Sequence, residues 1–147
     1  MTLPEYLQRI AAEACPAYRW YYDIRSMQNV TADNAAFPAV WMEEYYAQRV
    51  LDRYGFQREL TMEIHFQDLV PMQGVAADRE RVRDHLLQLG VIPFVQAYNR
   101  HATAQGLGLI SEFTADPEPP MFDANTTGVL LRFTVTVPMC MVFTSPS

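Results

Sequence analysis

The sequence predicts a single α+β domain in which a mainly antiparallel β-sheet is packed on one side by a central helix. Apolar side chains recur at helical spacing in residues 3–14 and again in a longer section over residues 77–103. Residues 58–68 and 128–137 instead alternate between apolar and polar side chains, which is typical of strands with one buried face. No repeat or linker interrupts residues 1–147, so we expect one domain with the element order α-β-β-β-α-β-β.

The composition is that of a globular protein with an excess of acidic side chains. Half of the 147 residues are hydrophobic, which is sufficient for a full core, and the formal net charge is −6. The negative charge argues against a nucleic-acid surface, because phosphate binding requires clustered cations. All 11 basic residues are arginine, which excludes lysine-nucleophile chemistry. A signal-peptide pattern and an apolar run of ~20 residues are both absent, so we expect a cytoplasmic protein with no membrane partner.

The first helix has clear end signals. Thr2 and Glu5 have the spacing of a capping box, Pro4 is tolerated in the first turn, and Pro16 ends the helix. A proline-rich connection over residues 116–127 precedes the last strand and is too long for a tight hairpin. The predicted strands cover residues 17–24, 37–46, 58–68, 107–115 and 128–137.

The central helical section is predicted as a helix over residues 77–89 and a second piece over residues 92–103. Gly90 and Pro93 interrupt the apolar pattern, so the two pieces are continuous or kinked. An apolar stripe along this section is expected to cover the core face of the sheet. The stripe consists of Val82, Leu86 and Leu89. The sheet residues expected beneath it are Leu60, Ile64, Phe66, Leu131, Phe133 and Val135.

Glu63 and His65 are the best candidates for chemistry. They lie two residues apart on the polar face of the 58–68 strand, where they could form an acid–base or metal-binding pair. The simpler interpretation is that this face, which also carries Glu59 and Gln67, is solvated. Further metal ligands cannot be placed, and no nucleophile elbow, phosphate loop or dinucleotide fingerprint occurs. We therefore expect no catalytic residue, no metal and no cofactor.

The two cysteines, Cys15 and Cys140, lie near opposite ends of the chain without CxxC spacing. In a cytosolic chain they are most simply buried free thiols, although a pairing between them is possible.

Several residues are candidates for contacts with other subunits. The early strands carry aromatic side chains on both faces, which indicates either strands buried on both sides or strands that meet another subunit. Arg79, Arg81 and Arg83 at the start of the central helix are either solvated or bind an acidic partner. The proline-rich connection could lie on a neighbouring subunit. The candidates are Trp20, Tyr22, Trp41, Tyr45, Tyr46, Arg79, Arg83, Pro119, Pro120 and Phe122.

The order of the predicted elements resembles that of phage tail terminator proteins. The elements are an N-terminal helix, a Phe37-Pro-Ala-Val strand after a loop, a long regular strand, a central helix and two final strands. The segment from Phe122 through Gly128 to Val135 is similar to the closing strands of small tail-completion proteins in phages and prophages. The resemblance covers most of the chain and is architectural.

The resemblance implies a structural assembly protein without catalytic residues. Such proteins form a homo-oligomeric ring, commonly a hexamer, that ends the tail tube and joins it to the head. The implied partners are other copies of the chain, the tail-tube protein and the head–tail connector protein, with DNA only as passing cargo. The implied location is the host cytoplasm during assembly and then the phage or phage-like particle. Two alternatives remain: a head–tail connector subunit, or a small-ligand-binding or enzymatic α+β domain that uses Glu63 and His65.

Overall fold

A computed structural model describes residues 1–22, 37–43, 47–51, 57–70, 75–118 and 126–138. The α-helices are α1 (Leu3–Ala14), α2 (Ala76–Leu86) and α3 (Ile92–Ala102). A π-helical turn, Leu87–Val91, joins α2 to α3, and a 3-10 turn, Thr103–Gln105, follows α3. The strands are β1 (Arg19–Tyr22), β2 (Ala39–Met42), β3 (Ala47–Leu51), β4 (Gln57–Leu69), β5 (Phe113–Glu118) and β6 (Thr126–Pro138).

The six described strands form one mixed sheet in the order β1-β2-β4-β6-β5, and β3 pairs with β4 beyond the end of β2. The β1–β2 pair is parallel and every other pair is antiparallel. The expectation of a mainly antiparallel α+β fold is therefore confirmed. Within the described residues, no helix is both long and apolar enough to cross a membrane.

The core lies between one face of the sheet and the helices, as the alternation in the two long strands predicts. Along β4 the side chains of Leu60, Met62, Ile64 and Phe66 are fully buried against apolar side chains of α1 and α3. We call this the helix face of the sheet, and the opposite one the outer face. Burial of each such side chain contributes roughly 1.5–3 kcal/mol of stability before the cost of ordering the chain.

Helix α1 begins as the sequence predicts. The Glu5 backbone N–H donates to the Thr2 hydroxyl over 3.3 Å, and the Thr2 backbone N–H donates to the Glu5 carboxylate over 2.8 Å. These reciprocal bonds satisfy two N–H groups that a helix end otherwise leaves without a partner.

The central helical section is continuous, and its π turn changes which residues face the sheet. The buried side recurs at four-residue steps through Leu86, Gly90, Phe94 and Tyr98, whereas Leu89 is 58% exposed. The expectation that Leu89 covers the core is therefore wrong, because the wider turn shifts the helix phase by about one residue.

Gly90 lies where the helical section comes closest to the sheet. A Cβ atom at this position would lie 2.9 Å from a ring carbon of Phe66 and 2.9 Å from one of Tyr18. The lack of space for a side chain therefore explains the glycine, since its φ angle is one that other residues also adopt.

Two strand predictions need correction. The strand expected over residues 37–46 ends at Met42, and a separate strand, β3, follows at residues 47–51. Because β3 has no alternating pattern, only its pairing with β4 identifies it.

The strand expected over residues 107–115 lies instead at Phe113–Glu118. Residues 107–110 are held by polar side chains of α3, since the Tyr98 hydroxyl donates to Gly108 O and Asn99 bonds both the N–H and the C=O of Ile110. Residues 116–118, which were expected to belong to the connection, pair with β6 as part of β5. Pro117 is tolerated there because β5 is an outer strand.

The core assignment predicts the effect of two truncations. Ile64 and Leu131 lie opposite each other in the β4–β6 register and both are 0% exposed. We expect Ile64→Ala and Leu131→Ala each to lower the free energy of unfolding by about 2–5 kcal/mol, because each leaves a cavity. Urea denaturation followed by circular dichroism measures this. Leu109→Ala removes a side chain that is 55% exposed, so it serves as a control expected to change stability by less than about 0.5 kcal/mol. Near-neutral effects at both core positions would contradict the assignment.

Cys15 is predicted to react only when the chain unfolds. Its side chain is a buried free thiol, 4% exposed, and burial raises its pKa to about 11. Cys140 lies outside the described residues, so a Cys140→Ser background isolates the Cys15 signal. At about pH 8 we expect alkylation of the folded protein to be far slower than alkylation in urea, because the thiolate is the reactive form. Equal rates in the two conditions would show that Cys15 is accessible in the folded chain.

Candidate functional site

The outer face of the sheet carries a buried polar cluster where β2, β4, β6 and β5 lie side by side. We define the His65 cluster as His65 and Glu63 on β4, Glu43 directly after β2, and Glu118 on β5. His65 is only 5% exposed, and Gln67, next on the same face of β4, is 1% exposed. The interpretation of this face as solvated is therefore wrong at these positions, since the alternation of β4 identifies the polar face but does not show whether it is covered.

The register of the sheet brings these side chains together. Glu43 follows Met42, which pairs with Ile64, and the Glu43 N–H donates to Glu63 O over 3.3 Å. Glu118 pairs with Gly128 of β6, which in turn pairs with Gln67 of β4. Because Gly128 has no side chain, the space over β6 at this point is open to groups from both neighbouring strands.

Gly128 is itself required by this arrangement. A Cβ atom at this position would lie 2.2 Å from Nε2 of Gln67 and 2.6 Å from Phe66 O. The buried Gln67 amide thus lies across β6, and neither its nitrogen nor its oxygen has a hydrogen-bond partner in the described part of the chain.

Glu118 holds the His65 ring in a defined orientation. The distances from His65 Nδ1 to the two Glu118 carboxylate oxygens are 2.7 and 2.8 Å. A carboxylate can only accept, so Nδ1–H is the donor. The Trp41 ring stacks on His65 with centroids 4.2 Å apart and an interplanar angle of 27°. Nδ1 is therefore occupied, and Nε2 is directed elsewhere.

The second ring nitrogen of His65 faces the other two carboxyl groups. His65 Nε2 lies 3.6 Å from Glu43 Oε2, which is too long for a hydrogen bond. Although this nitrogen is buried, it has no hydrogen-bond partner among the described residues. A carboxylate oxygen of Glu43, a carboxylate oxygen of Glu63 and a ring nitrogen of His65 all lie within 4.8 Å of one another.

The charges of the cluster are unevenly distributed. Burial and a hydrogen bond to Glu63 raise the pKa of Glu43 above its usual value. Burial alone would raise the pKa of Glu63, but Arg132, whose Nε donates over 2.8 Å, and Glu43 outweigh it and lower that pKa. Burial alone would lower the pKa of His65, but the Glu118 and Glu43 carboxylates outweigh it and raise that pKa.

Two members of this cluster follow from the sequence, and two do not. Glu63 and His65 are the pair that the alternation of β4 predicts, whereas Glu43 and Glu118 were not expected. Glu118 lies in a segment whose prolines indicate a loop, and no local pattern places it beside β4. The only signal for the stacking partner is the continuous apolar run Ala39–Met42, which is typical of a strand buried on both faces.

The predicted subunit-contact residues are divided by the structure. Trp41 is 1% exposed, so its side chain is covered within its own chain, and Trp20 is half-buried against the core. Tyr22, on β1, is 37% exposed. Arg79 and Arg83 are half-buried on α2. The remaining candidates, Tyr45, Tyr46, Pro119, Pro120 and Phe122, lie outside the described residues.

The burial of the His65 cluster predicts a large effect of His65→Ala on stability. The substitution leaves the Glu118 carboxylate, whose side chain is 10% exposed, without its partner. We expect a loss of about 3 kcal/mol in the free energy of unfolding, measured by urea denaturation. Arg49→Ala is the matched control, because it breaks a pair with Glu59 in which the side chains are 69% and 34% exposed, and a loss of at most about 0.5 kcal/mol is expected. Similar small effects of both substitutions would mean that the outer face is solvated.

A comparison of the chain with protein-family models and with curated proteins returned no match.

Proposed function

We propose that the protein is a structural subunit that assembles into a closed ring, and that this ring is the tail terminator of a phage or phage-like particle. The observation that carries the proposal is the form of the two sheet edges. Within the described residues, β1, β3 and β5 each pair with another strand on one side only, and β1 and β5 are the two ends of the strand order. A strand edge is where a neighbouring chain can add a strand through backbone hydrogen bonds.

The directions of the outer strands suit a head-to-tail contact. β2 and β6 are both antiparallel to β4, β1 is parallel to β2, and β5 is antiparallel to β6. It follows that β1 and β5 run in opposite directions. If the sheet of one copy continues into that of the next, β5 of the first lies antiparallel to β1 of the second. A contact between two different surfaces of this kind forms a ring when the rotation between copies closes.

Both edges carry exposed apolar side chains that such a contact would bury. Tyr22 on β1 is 37% exposed and Phe113 on β5 is 39% exposed. Leu109, shortly before β5, is 55% exposed. Aromatic side chains contribute most to subunit interfaces when water is excluded around them. We place Tyr22 and Phe113 at the centre of the intersubunit contact.

The tail-terminator assignment rests on the resemblance in element order, which also suggests a hexamer. The tail-tube protein and the head–tail connector protein are then its partners on either side of the ring. The net charge of −6 is consistent with a channel through which DNA passes without binding. On this proposal the protein acts in the host cytoplasm during assembly and then remains in the particle, and it needs no catalytic residue or cofactor. A head–tail connector subunit would use the same edge contact.

A small-ligand-binding or enzymatic domain is the second candidate function. The His65 cluster favours it, because a buried imidazole between carboxyl groups is typical of acid–base and ligand sites. A groove of about 780 Å³ also runs along the outer face and includes Arg132, the partner of Glu63, in its wall. On this candidate, Glu63 and His65 would be the functional residues.

The edge contact is tested with two complementary variants. Phe113→Lys blocks the β5 edge and Tyr22→Lys blocks the β1 edge, because each places a charge in the contact. We expect each variant alone to require at least roughly tenfold higher concentration to assemble than the wild type, as loss of a central interface residue does. A mixture of the two variants still contains one intact edge of each kind, so it is expected to form dimers and nothing larger. Light scattering measures the masses of the assemblies, either with the protein at high concentration or with the protein added to tail tubes.

Two controls separate the candidate functions. Leu89→Lys introduces the same charge at a side chain that is 58% exposed on the helical section, and it is expected to leave the ring intact. Glu63→Gln alters the His65 cluster and is also expected to assemble as the wild type does. A mixture that stays monomeric, or a wild type that stops at an isolated dimer, contradicts the ring. Normal assembly without the edge residues, together with loss of function in Glu63→Gln, would favour the second candidate.

A further inference from the structure

The His65 cluster has a donor set that a metal ion could use. The carboxyl groups of Glu43 and Glu63 and the Nε2 atom of His65 approach one another within 4.8 Å. One imidazole nitrogen and two carboxylate oxygens are ligands that borderline divalent ions accept, whereas Mg²⁺ and Ca²⁺ prefer oxygen ligands throughout. Carboxylates alone are common on protein surfaces without a metal ion. The orientation and burial of His65 are what distinguish this cluster.

His65 is held as a metal-binding histidine is held. Glu118 accepts from Nδ1–H over 2.7 Å, so Nε2 is the ring nitrogen that faces Glu43 and Glu63 and is the atom that would bind an ion. Histidine ligands almost always donate their other ring N–H to a carboxylate or carbonyl in this way. Trp41 stacks on the ring and limits its rotation. The free nitrogen is therefore fixed in position before any ligand arrives.

The same nitrogen has no hydrogen-bond partner of its own. His65 is 5% exposed, and among the described residues nothing forms a hydrogen bond with its buried Nε2 atom. A buried polar atom without a partner costs about 1–3 kcal/mol, so such atoms are rare unless they have a use. The ring is also surrounded by three carboxyl groups, those of Glu43, Glu63 and Glu118, and by one guanidinium, that of Arg132. A metal ion among these groups would give Nε2 the partner that it lacks.

We propose that Glu43, Glu63 and Nε2 of His65 form a binding site for one divalent transition-metal ion of the Zn²⁺ type, with Glu118 as the group that orients His65. Around a tetrahedral zinc ion with zinc–ligand distances of about 2.0–2.2 Å, the ligand atoms lie about 3.3–3.6 Å from one another. Rotation of the Glu43 carboxylate, whose side chain is 35% exposed, closes the present spacing. Arg132 donates to Oε1 of Glu63 over 2.8 Å and so holds this carboxylate in place beside the site. Three protein ligands leave one position of a tetrahedral ion for water or for a group from outside the chain.

The site does not depend on the proposed ring, since its ligands come from one chain. Its nearest counterpart elsewhere in the described residues is a useful control. Glu13 binds His101 Nε2 over 2.9 Å and Arg100 over 2.7 Å. This pair has the same residue types but only one carboxylate, and its imidazole nitrogen already has a partner. It should bind metal no better than any surface histidine.

The test is zinc binding by tag-free protein that has first been treated with a chelator. Isothermal titration with Zn²⁺ gives the stoichiometry and the affinity, and the visible absorption of added Co²⁺ reports the coordination geometry. We expect one Zn²⁺ per chain and a higher unfolding temperature in its presence. Glu43→Gln, which removes a ligand on a partly exposed side chain, is expected to weaken binding by at least about tenfold, as is Glu118→Gln, which removes the orienting group. Glu13→Gln is expected to leave the affinity unchanged.

Three results would overturn the proposal. The first is no saturable uptake of Zn²⁺ by the folded wild type. The second is equal weakening by Glu13→Gln and Glu43→Gln, which would mean that zinc binds surface groups. The third is that Mg²⁺ binds as tightly as Zn²⁺ or more tightly, which would mean that the imidazole is not a ligand. Circular dichroism of each variant shows whether it is folded. A loss of zinc affinity in folded Glu43→Gln or Glu118→Gln protein can then be attributed to the site and not to unfolding.

Discussion

The pairing of β4 with β6 is the interaction on which the rest of the structure depends. The two strands are joined in register along their whole described length, from Gln57 opposite Pro138 to Leu69 opposite Thr126. One set of alternate residues forms the floor on which the helices pack, and the other set forms the outer face. A slip by one residue would turn the apolar set outward and the polar set inward, so burial of the helix face holds the register.

The same register builds the His65 cluster, although nothing in the core requires it. Gly128 lies between Gln67 and Glu118, and its missing side chain leaves the space that the groups on either side use. The cluster replaces apolar packing on the outer face with buried polar groups that need partners. Buried polar groups lower the stability of the fold unless they have hydrogen-bond or ionic partners. The direction in which an unpartnered group points therefore indicates where a ligand would bind.

β5 connects the two proposals physically. Phe113 at its first position is exposed at the sheet edge, and Glu118 at its last position holds His65. A neighbouring chain that pairs with β5 would therefore order the strand that supports the cluster. Conversely, an ion bound by His65 would strengthen the contact between His65 and Glu118 that crosses β6 and holds the end of β5. Assembly and metal binding could stabilise each other through this one strand, because a ligand favours whichever conformation it binds best.

The sequence predicted the α+β class, the first helix with its capping box at Thr2, the two long strands and the core residues Ile64 and Leu131. These features depend on short-range periodicity and capping, which are visible within about ten residues. β3, the true position of β5 and the exposure of Leu89 could not be predicted in this way. β3 forms through pairing with β4, and the π turn that leaves Leu89 exposed also brings Gly90 against Phe66 and Tyr18, a contact between distant parts of the chain.

The candidate site divides along the same line. Alternation in β4 was enough to put Glu63 and His65 on one face, because that periodicity is local. Whether the face is covered, and by which groups, depends on strands far apart in the chain. Glu118 is 53 residues from His65 in sequence, and the two meet only because β5 pairs with β6 and β6 with β4. The sequence by itself determined which chemical groups are available, and the tertiary structure alone decided which of them meet, because sheet pairing is a long-range contact.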